Sequence, residues 1–181
     1  MSLADAADIV AFWRQAGPER WFAKDDAFDA EIRRRFLATH EAAATGELAS
    51  WEETPEGAYA LLILLDQFPR NLFRGSDRAF ATDAMAVAVA ERAIARGFDR
   101  AYEPPESRFF YMPFMHSEEL AHQERCIALC AGRDDAEGVR YAEIHRDIIR
   151  DFGRFPHRNP MLGRDTSPAE QAFLDEGGFS G

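Results

Sequence analysis

Lysine is almost absent: Lys24 is the only one, and arginine supplies nearly all of the 21 basic side chains set against 32 carboxylates. The net charge of −11 and isoelectric point near 4.9 argue against a surface that holds nucleic acid or an anionic membrane by general electrostatics. A cation set made of arginine reflects either the composition of the gene or a need for forked donors to carboxylate or phosphate. Cysteine is scarce as well. Cys126 and Cys130 stand one helical turn apart in CIALC, where a disulfide is geometrically poor and a thiolate metal site lacks further ligands. They read as core-facing thiols, and with no signal-peptide pattern they suit a reducing cytoplasm. No apolar run nears the roughly 20 residues of a membrane span. Nor does any stretch sustain the period-two alternation of a half-buried strand, so the chain is expected to be all-α. At 181 residues it is long enough for one well-buried domain, and a single domain over residues 1–181 is expected.

About seven helices are legible. From Ala4 to Gln15, Ile9, Val10, Phe12 and Trp13 fall at helical spacing until Gly17-Pro18 stops them, and Trp21 and Phe22 then plug a connector. Asp25 or Asp26 caps a helix running to about Thr45, with a stripe of Phe28, Ile32, Phe36 and Leu37; Arg33, Arg34 and Arg35 form its solvated face beside Glu31. Thr54-Pro55-Glu56 carries a hydroxyl cap, a first-turn proline and a first-turn acid, a strong start signal. The helix it opens contains five consecutive apolar residues, Leu61 to Leu65, which point in all directions around the axis, so it must be central. Further helices are expected over Asp77 to Arg96, from a Ser117 cap to about Ala131, and along Val139, Ile144, Ile148, Ile149 and Phe152 to Gly153. Pro113 should kink or split the aromatic run RFFYMPFM, and Ser167-Pro168-Ala169-Glu170 is a capping box for a short last helix.

The central helix ends in an unusual way. Asp66 and Gln67 follow the apolar run directly, and Pro69 is expected to bar Phe68 from continuing the α conformation. Arg70, Asn71 and Arg74 come next, where cations favour the exposed carbonyls. A second corner echoes the first: Asp151 near a helix end, then Arg154, Phe155-Pro156-His157-Arg158-Asn159. The echo suggests stacked helical hairpins, with Asp66 expected beside a guanidinium of the second corner.

Several blocks, FWRQAGPERWF, RRRF, LILLDQFPRNLFRG, FFYMPFMHSE, HRDIIRDFGRFPHRN and FLDEGGF, together resemble the bacterial family known as domain of unknown function 924 across almost the whole chain. The resemblance implies stacked antiparallel helical hairpins in a right-handed array similar to tetratricopeptide-repeat proteins, and it implies no activity. The chain departs from the family pattern at His122, where an Asp is expected before Gln123-Glu124.

Within these blocks the candidate ligand-binding residues are Asp66, Gln67, Arg70, Asn71, Arg74, His116, Gln123, His145, Arg154, His157, Arg158 and Asn159. Guanidinium, amide and imidazole groups at rigid element ends can hold a small anionic ligand or an acidic peptide end. The same groups can instead simply satisfy buried helix ends. A small enzyme using His116 or His157 with a carboxylate is the alternative, although no nucleophile elbow is present. Glu119-x-x-His122 matches the ligand spacing of di-iron bundles but occurs once, so no metal or other cofactor is expected. Phe109 to Met115 could line a peptide groove or fill the core. No nucleic-acid or membrane partner is expected.

Overall fold

Side-chain caps open the helices of the computed structural model, which describes residues 3–179. Asp5 accepts the Asp8 amide at the start of α1 (Ala6–Ala16), and Gly17 separates α1 from the short α2 (Pro18–Trp21). Asp25 takes the amides of Ala27 and Phe28 ahead of α3 (Asp26–Ala44). Thr54 Oγ1 takes the Gly57 amide at 3.1 Å and begins α4, which runs as α-helix over Pro55–Leu62, as a π turn over Ile63–Gln67 and as α-helix again over Phe68–Leu72. Next come α5 (Asp83–Ala95), α6 (Met112–His116), α7 (Leu120–Ala131), α8 (Ala136–Phe152) and α9 (Pro168–Asp175). No strand is present among the described residues, and none of their helices is long and apolar enough to cross a membrane.

The chain groups into two compact units. One runs to Arg74 and resumes from Arg78 to Pro113; the other takes Gly75–Asp77 and everything from Phe114 onward. In the first, α4 is the central rod that its sequence demands. Every side chain from Ala58 to Leu65 is at most 3 % exposed, and α1, α3 and α5 pack around it. Aromatic rings fill the space between them: Phe36 stacks on Phe68 at 5.2 Å, Phe12 on Phe28 at 5.4 Å, and Trp13 on Trp21 at 5.9 Å. Each buried ring contributes roughly 2–3 kcal/mol by leaving water. Trp21 also donates its indole N–H to the Trp13 carbonyl at 2.6 Å. Phe22, expected beside it as a plug, is 59 % exposed and covers the cluster from outside, its ring 6.3 Å from those of Trp21 and Phe109.

In the second unit α7 and α8 form an antiparallel hairpin across a four-residue turn, and Ile148, Ile149 and Phe155 make a core on which Phe152, Phe173 and Phe179 pack. Cys126 and Cys130 are fully buried, as expected, and hydrogen bonding to Cys130 together with burial pushes the Cys126 thiol up. The capping box of α9 is complete: Ser167 Oγ accepts the Glu170 amide at 3.3 Å and Glu170 accepts the Ser167 amide at 2.7 Å.

Several expectations are corrected. The Asp77–Arg96 segment is a 3-10 turn over Asp77–Phe80 followed by α5. Ser117 does not cap α7 itself. Glu119 is the cap residue, and the Ser117 hydroxyl takes the Glu119 amide at 3.2 Å, two residues early. Arg33 is not simply solvated, since it donates to the Leu72 carbonyl. Ile144 is 40 % exposed, because the buried stripe of α8 runs through Ala142, His145, Ile148 and Ile149, and a histidine takes the place the apolar pattern assigned to isoleucine. The run from Phe109 to Met115 is split at Tyr111. Its aromatic and methionine side chains are at most 6 % exposed, so of the two readings offered for them core packing holds.

Candidate functional site

The first corner is built by the π turn. Pro69 does not stop α4; Phe68 keeps helical angles and donates to the Ile63 carbonyl, five residues back. Proline lacks the N–H that an α-helix would direct to the Leu65 carbonyl, and the widened turn loosens its neighbours. Side chains take their place. His40 Nδ1 donates to Leu64 O at 2.8 Å, Thr82 Oγ1 to Leu65 O at 2.5 Å, and Arg70 Nη1 to Asp66 O at 2.5 Å. Buried carbonyls of an interrupted helix are thus satisfied one by one, which a buried backbone requires. Burial holds the His40 imidazole below its usual range, partly offset by the Leu64 carbonyl.

Asp66, 1 % exposed, accepts from the Gln67 amide and lies 3.4 Å from Arg70 Nη1. Arg70 also reaches Asp83 through two bonds of 3.1 Å. Burial opposes its charge, but Asp66 and Asp83 outweigh that and raise its pKa. Asn71 and Arg74 both donate to Asp29, Asn71 at 2.8 Å and Arg74 through a two-pronged contact. Thus Asp66, Gln67 and Arg70 form one set and Asn71 and Arg74 another. Asp83, Asp29, Thr82 and His40 complete them, and sequence reasoning passed over all four. A hydroxyl and a carboxylate adjacent at the α5 start, Thr82-Asp83, were the only visible signal.

The second corner also contains two sets. Arg154 pairs through two bonds, 2.6 and 2.9 Å, with Glu170, which is 3 % exposed. That bond and the Ser167 amide hold the Glu170 carboxyl far below the usual carboxylate range. Asn159, fully buried, lies beside them and donates toward Thr166 at 3.4 Å. Glu118 receives Arg164 through two bonds, 2.7 and 3.0 Å, and the Phe155 amide at 2.9 Å. Burial opposes its charge, yet these donors and the Arg158 charge keep its pKa low. Glu170 and Arg164 lie outside the repeated corner motif and were missed for that reason.

The other set is basic. His145, 5 % exposed, donates Nδ1–H to the Tyr141 carbonyl at 2.8 Å. A carbonyl only accepts, so the neutral ring keeps its lone pair on Nε2. The His116 ring centroid lies 6.4 Å away, Phe155 stands between His145 and His157 at 5.7 Å from each, and the Arg158 guanidinium covers Phe155 at 4.4 Å. Burial, then the like charges of His116, Arg158 and His157, push His145 down to about 4. Gln123, fully buried, is apart from this set and donates to the Met115 and Ser117 carbonyls at 2.7 and 2.6 Å. Nearby, Ser117 Oγ lies 2.8 Å from His122 Nδ1, and His122 Nε2 lies 3.7 Å from Glu119.

Residues 9–178 match the family described as bacterial protein of unknown function, domain of unknown function 924. The chain belongs to this family. It is also similar to a solved structure of a protein of unknown function from Agrobacterium tumefaciens, at 49 % identity and a TM-score of 0.92, over 94 % of this chain and 97 % of that one. No curated protein matches it. The function of this member of domain of unknown function 924 therefore has to be read from its side chains.

Proposed function

We propose that the corner after α8 binds a small anionic ligand and that the protein is a binding module. The observation that carries this is the convergence of His116, His157 and Arg158 on the buried His145, in a chain whose net charge is −11. These neighbours disfavour the charged form of His145, and an anion brought beside the ring favours it. Of the carboxylates in this corner, Glu170 pairs with Arg154, and Glu118 pairs with Arg164 and also feels the Arg158 charge. In the first corner the donors of Arg70, Arg74 and Asn71 point at Asp66, Asp83 and Asp29, so our reading of that corner is structural. We also retain the tetratricopeptide-repeat-like stacking of hairpins, supported by the α7–α8 pair, and cytoplasmic residence, supported by two buried free thiols.

The test is an NMR titration of the His145 ring with inorganic phosphate and with acetate. A bound anion should raise its pKa by about 1 unit or more, and Arg158→Ala should abolish the effect. An unchanged titration curve at saturating anion would overturn the proposal. A second reading, a small hydrolase, rests on the Ser117–His122–Glu119 row. It predicts covalent labelling of Ser117 by a fluorophosphonate that His122→Ala abolishes. Without labelling, the hydroxyl is only the cap of the Glu119 amide.

A further inference from the structure

Helix α8 shows solvent a knob and a hole on one face. Tyr141, 39 % exposed, and Ile144, 40 % exposed, continue through Ile148 to Phe152 as a single apolar stripe at helical spacing. The stripe runs beside the face that Ala142, His145 and Ile149 bury, so the core does not use all of it. Towards the end of α8 it becomes the floor of an open slot of about 240 Å³, lined by Ile144, Ile148, Phe152, Phe173 and Phe179 with Asp147 and Asp151 at its rim. The wall opposite is fixed by main-chain geometry. Gly177 takes φ +82° and the Gly178 amide bonds Phe173 O at 2.9 Å, a Schellman-type ending that seats the Phe179 ring 4.5 Å from that of His145. Two turns before the slot stands the knob, the Tyr141 ring, with the Arg140 guanidinium 5.0 Å from its centroid.

We propose that a second copy of this chain fills the slot, in a two-fold dimer whose α8 helices lie antiparallel and exchange their Tyr141 rings. A two-fold contact is one patch meeting itself, which requires knob and hole on the same face. The spacing meets that condition. With the axis passing near Arg146, Tyr141 of one copy falls opposite Phe152 of the other, and Ile144 opposite Ile148. The slot is smaller than the roughly 300 Å³ at which drug-sized sites begin, and a single aromatic side chain suits it. Charge agrees with the register, because Arg140 arrives with Tyr141 at the rim where Asp147 and Asp151 stand. Within one copy both carboxylates bond Arg150, at 2.8 and 3.0 Å, and Asp147 also bonds Arg146 at 2.6 Å. These are exposed or half-exposed pairs, which contribute little and can share their oxygens with an incoming guanidinium. None of the basic residues of the proposed anion site lines the slot, so the two readings stand or fall separately. The contact is short, since α8 is about 25 Å long, and the dimer should be reversible with a Kd of roughly 10–100 μM.

Sedimentation equilibrium of the full chain up to roughly 1 mM tests this, at moderate salt that screens the net charge of −11. A monomer–dimer equilibrium should appear, and Tyr141→Ser should weaken it at least tenfold without altering the circular dichroism of the monomer. Arg140→Glu and Asp151→Arg should each weaken it as well. Mixing those two variants should restore association, because each then offers the other the opposite charge at both ends of α8. A mixture no tighter than either variant alone, or a dimer indifferent to Tyr141→Ser, overturns the proposal. So does a chain that stays monomeric throughout, and movement of the Ile144 and Phe173 signals on adding p-cresol would then assign the slot to a small phenol.

Discussion

His145 should make the stability of this protein depend on pH between neutrality and pH 4. The folded ring titrates near 4 because it is buried and surrounded by His116, Arg158 and His157, whereas an unfolded imidazole titrates near 6.5. Below pH 6.5 the unfolded chain therefore takes up a proton that the folded chain refuses. Stability falls as pH falls through that window and this contribution levels off below about 4. At about 1.4 kcal/mol per pH unit, the gap is worth roughly 3 kcal/mol. The perturbation is His145→Asn, whose amide keeps a donor for the Tyr141 carbonyl but does not titrate. Urea unfolding of both proteins at a series of pH values, without added anions, gives the measurement. The advantage of the unaltered chain over the variant should shrink steadily from pH 7 to pH 4. His40, also depressed, acts in the same direction but is present in both proteins and cancels. Parallel profiles, differing by less than roughly 1 kcal/mol across the range, would refute the buried neutral imidazole and the basic set built on it.

Other expectations are local. Thr82→Val leaves the Leu65 carbonyl without its donor and should cost about 1–3 kcal/mol in chemical denaturation, while Thr82→Ser should restore most of it. Gly57→Ala places a Cβ 2.1 Å from the Trp51 carbonyl and should destabilise by about 1–3 kcal/mol, read as a lower melting temperature. Arg70→Met strips Asp66 and Asp83 of a shared cation and should cost about 3–5 kcal/mol, with part recovered in the double variant Arg70→Met, Asp83→Asn.

Local chemistry was legible in the chain; long-range chemistry was not. Thr54, Asp25 and Ser167 cap within three residues of themselves, so their roles follow from spacing. The burial of α4 follows from five apolar residues in a row, which leave no face for water. The course of α4 past Pro69 depends instead on Thr82 and His40, 17 and 24 residues from the carbonyls they serve. Nothing adjacent to Pro69 announces them. Asp66 was correctly placed in a buried polar set, in which Arg70 of the same corner lies 3.4 Å from it. His145 was singled out for its motif and not for its burial, because an apolar stripe drawn through Ile144 puts a histidine on the wrong side of the helix. The boundary between the two units falls inside RFFYMPFM, where no glycine or serine linker marks it.

The widened turn at Ile63–Gln67 acts as a phase shift in the helix. Were the same residues wound as an unbroken α-helix, everything downstream would rotate by about 100° about the axis. Arg70 would swing away from Asp83, and Asn71 and Arg74 from Asp29. Three separate contacts thus depend on one widened turn, which absorbs a surplus residue so that the side chains beyond it keep their directions.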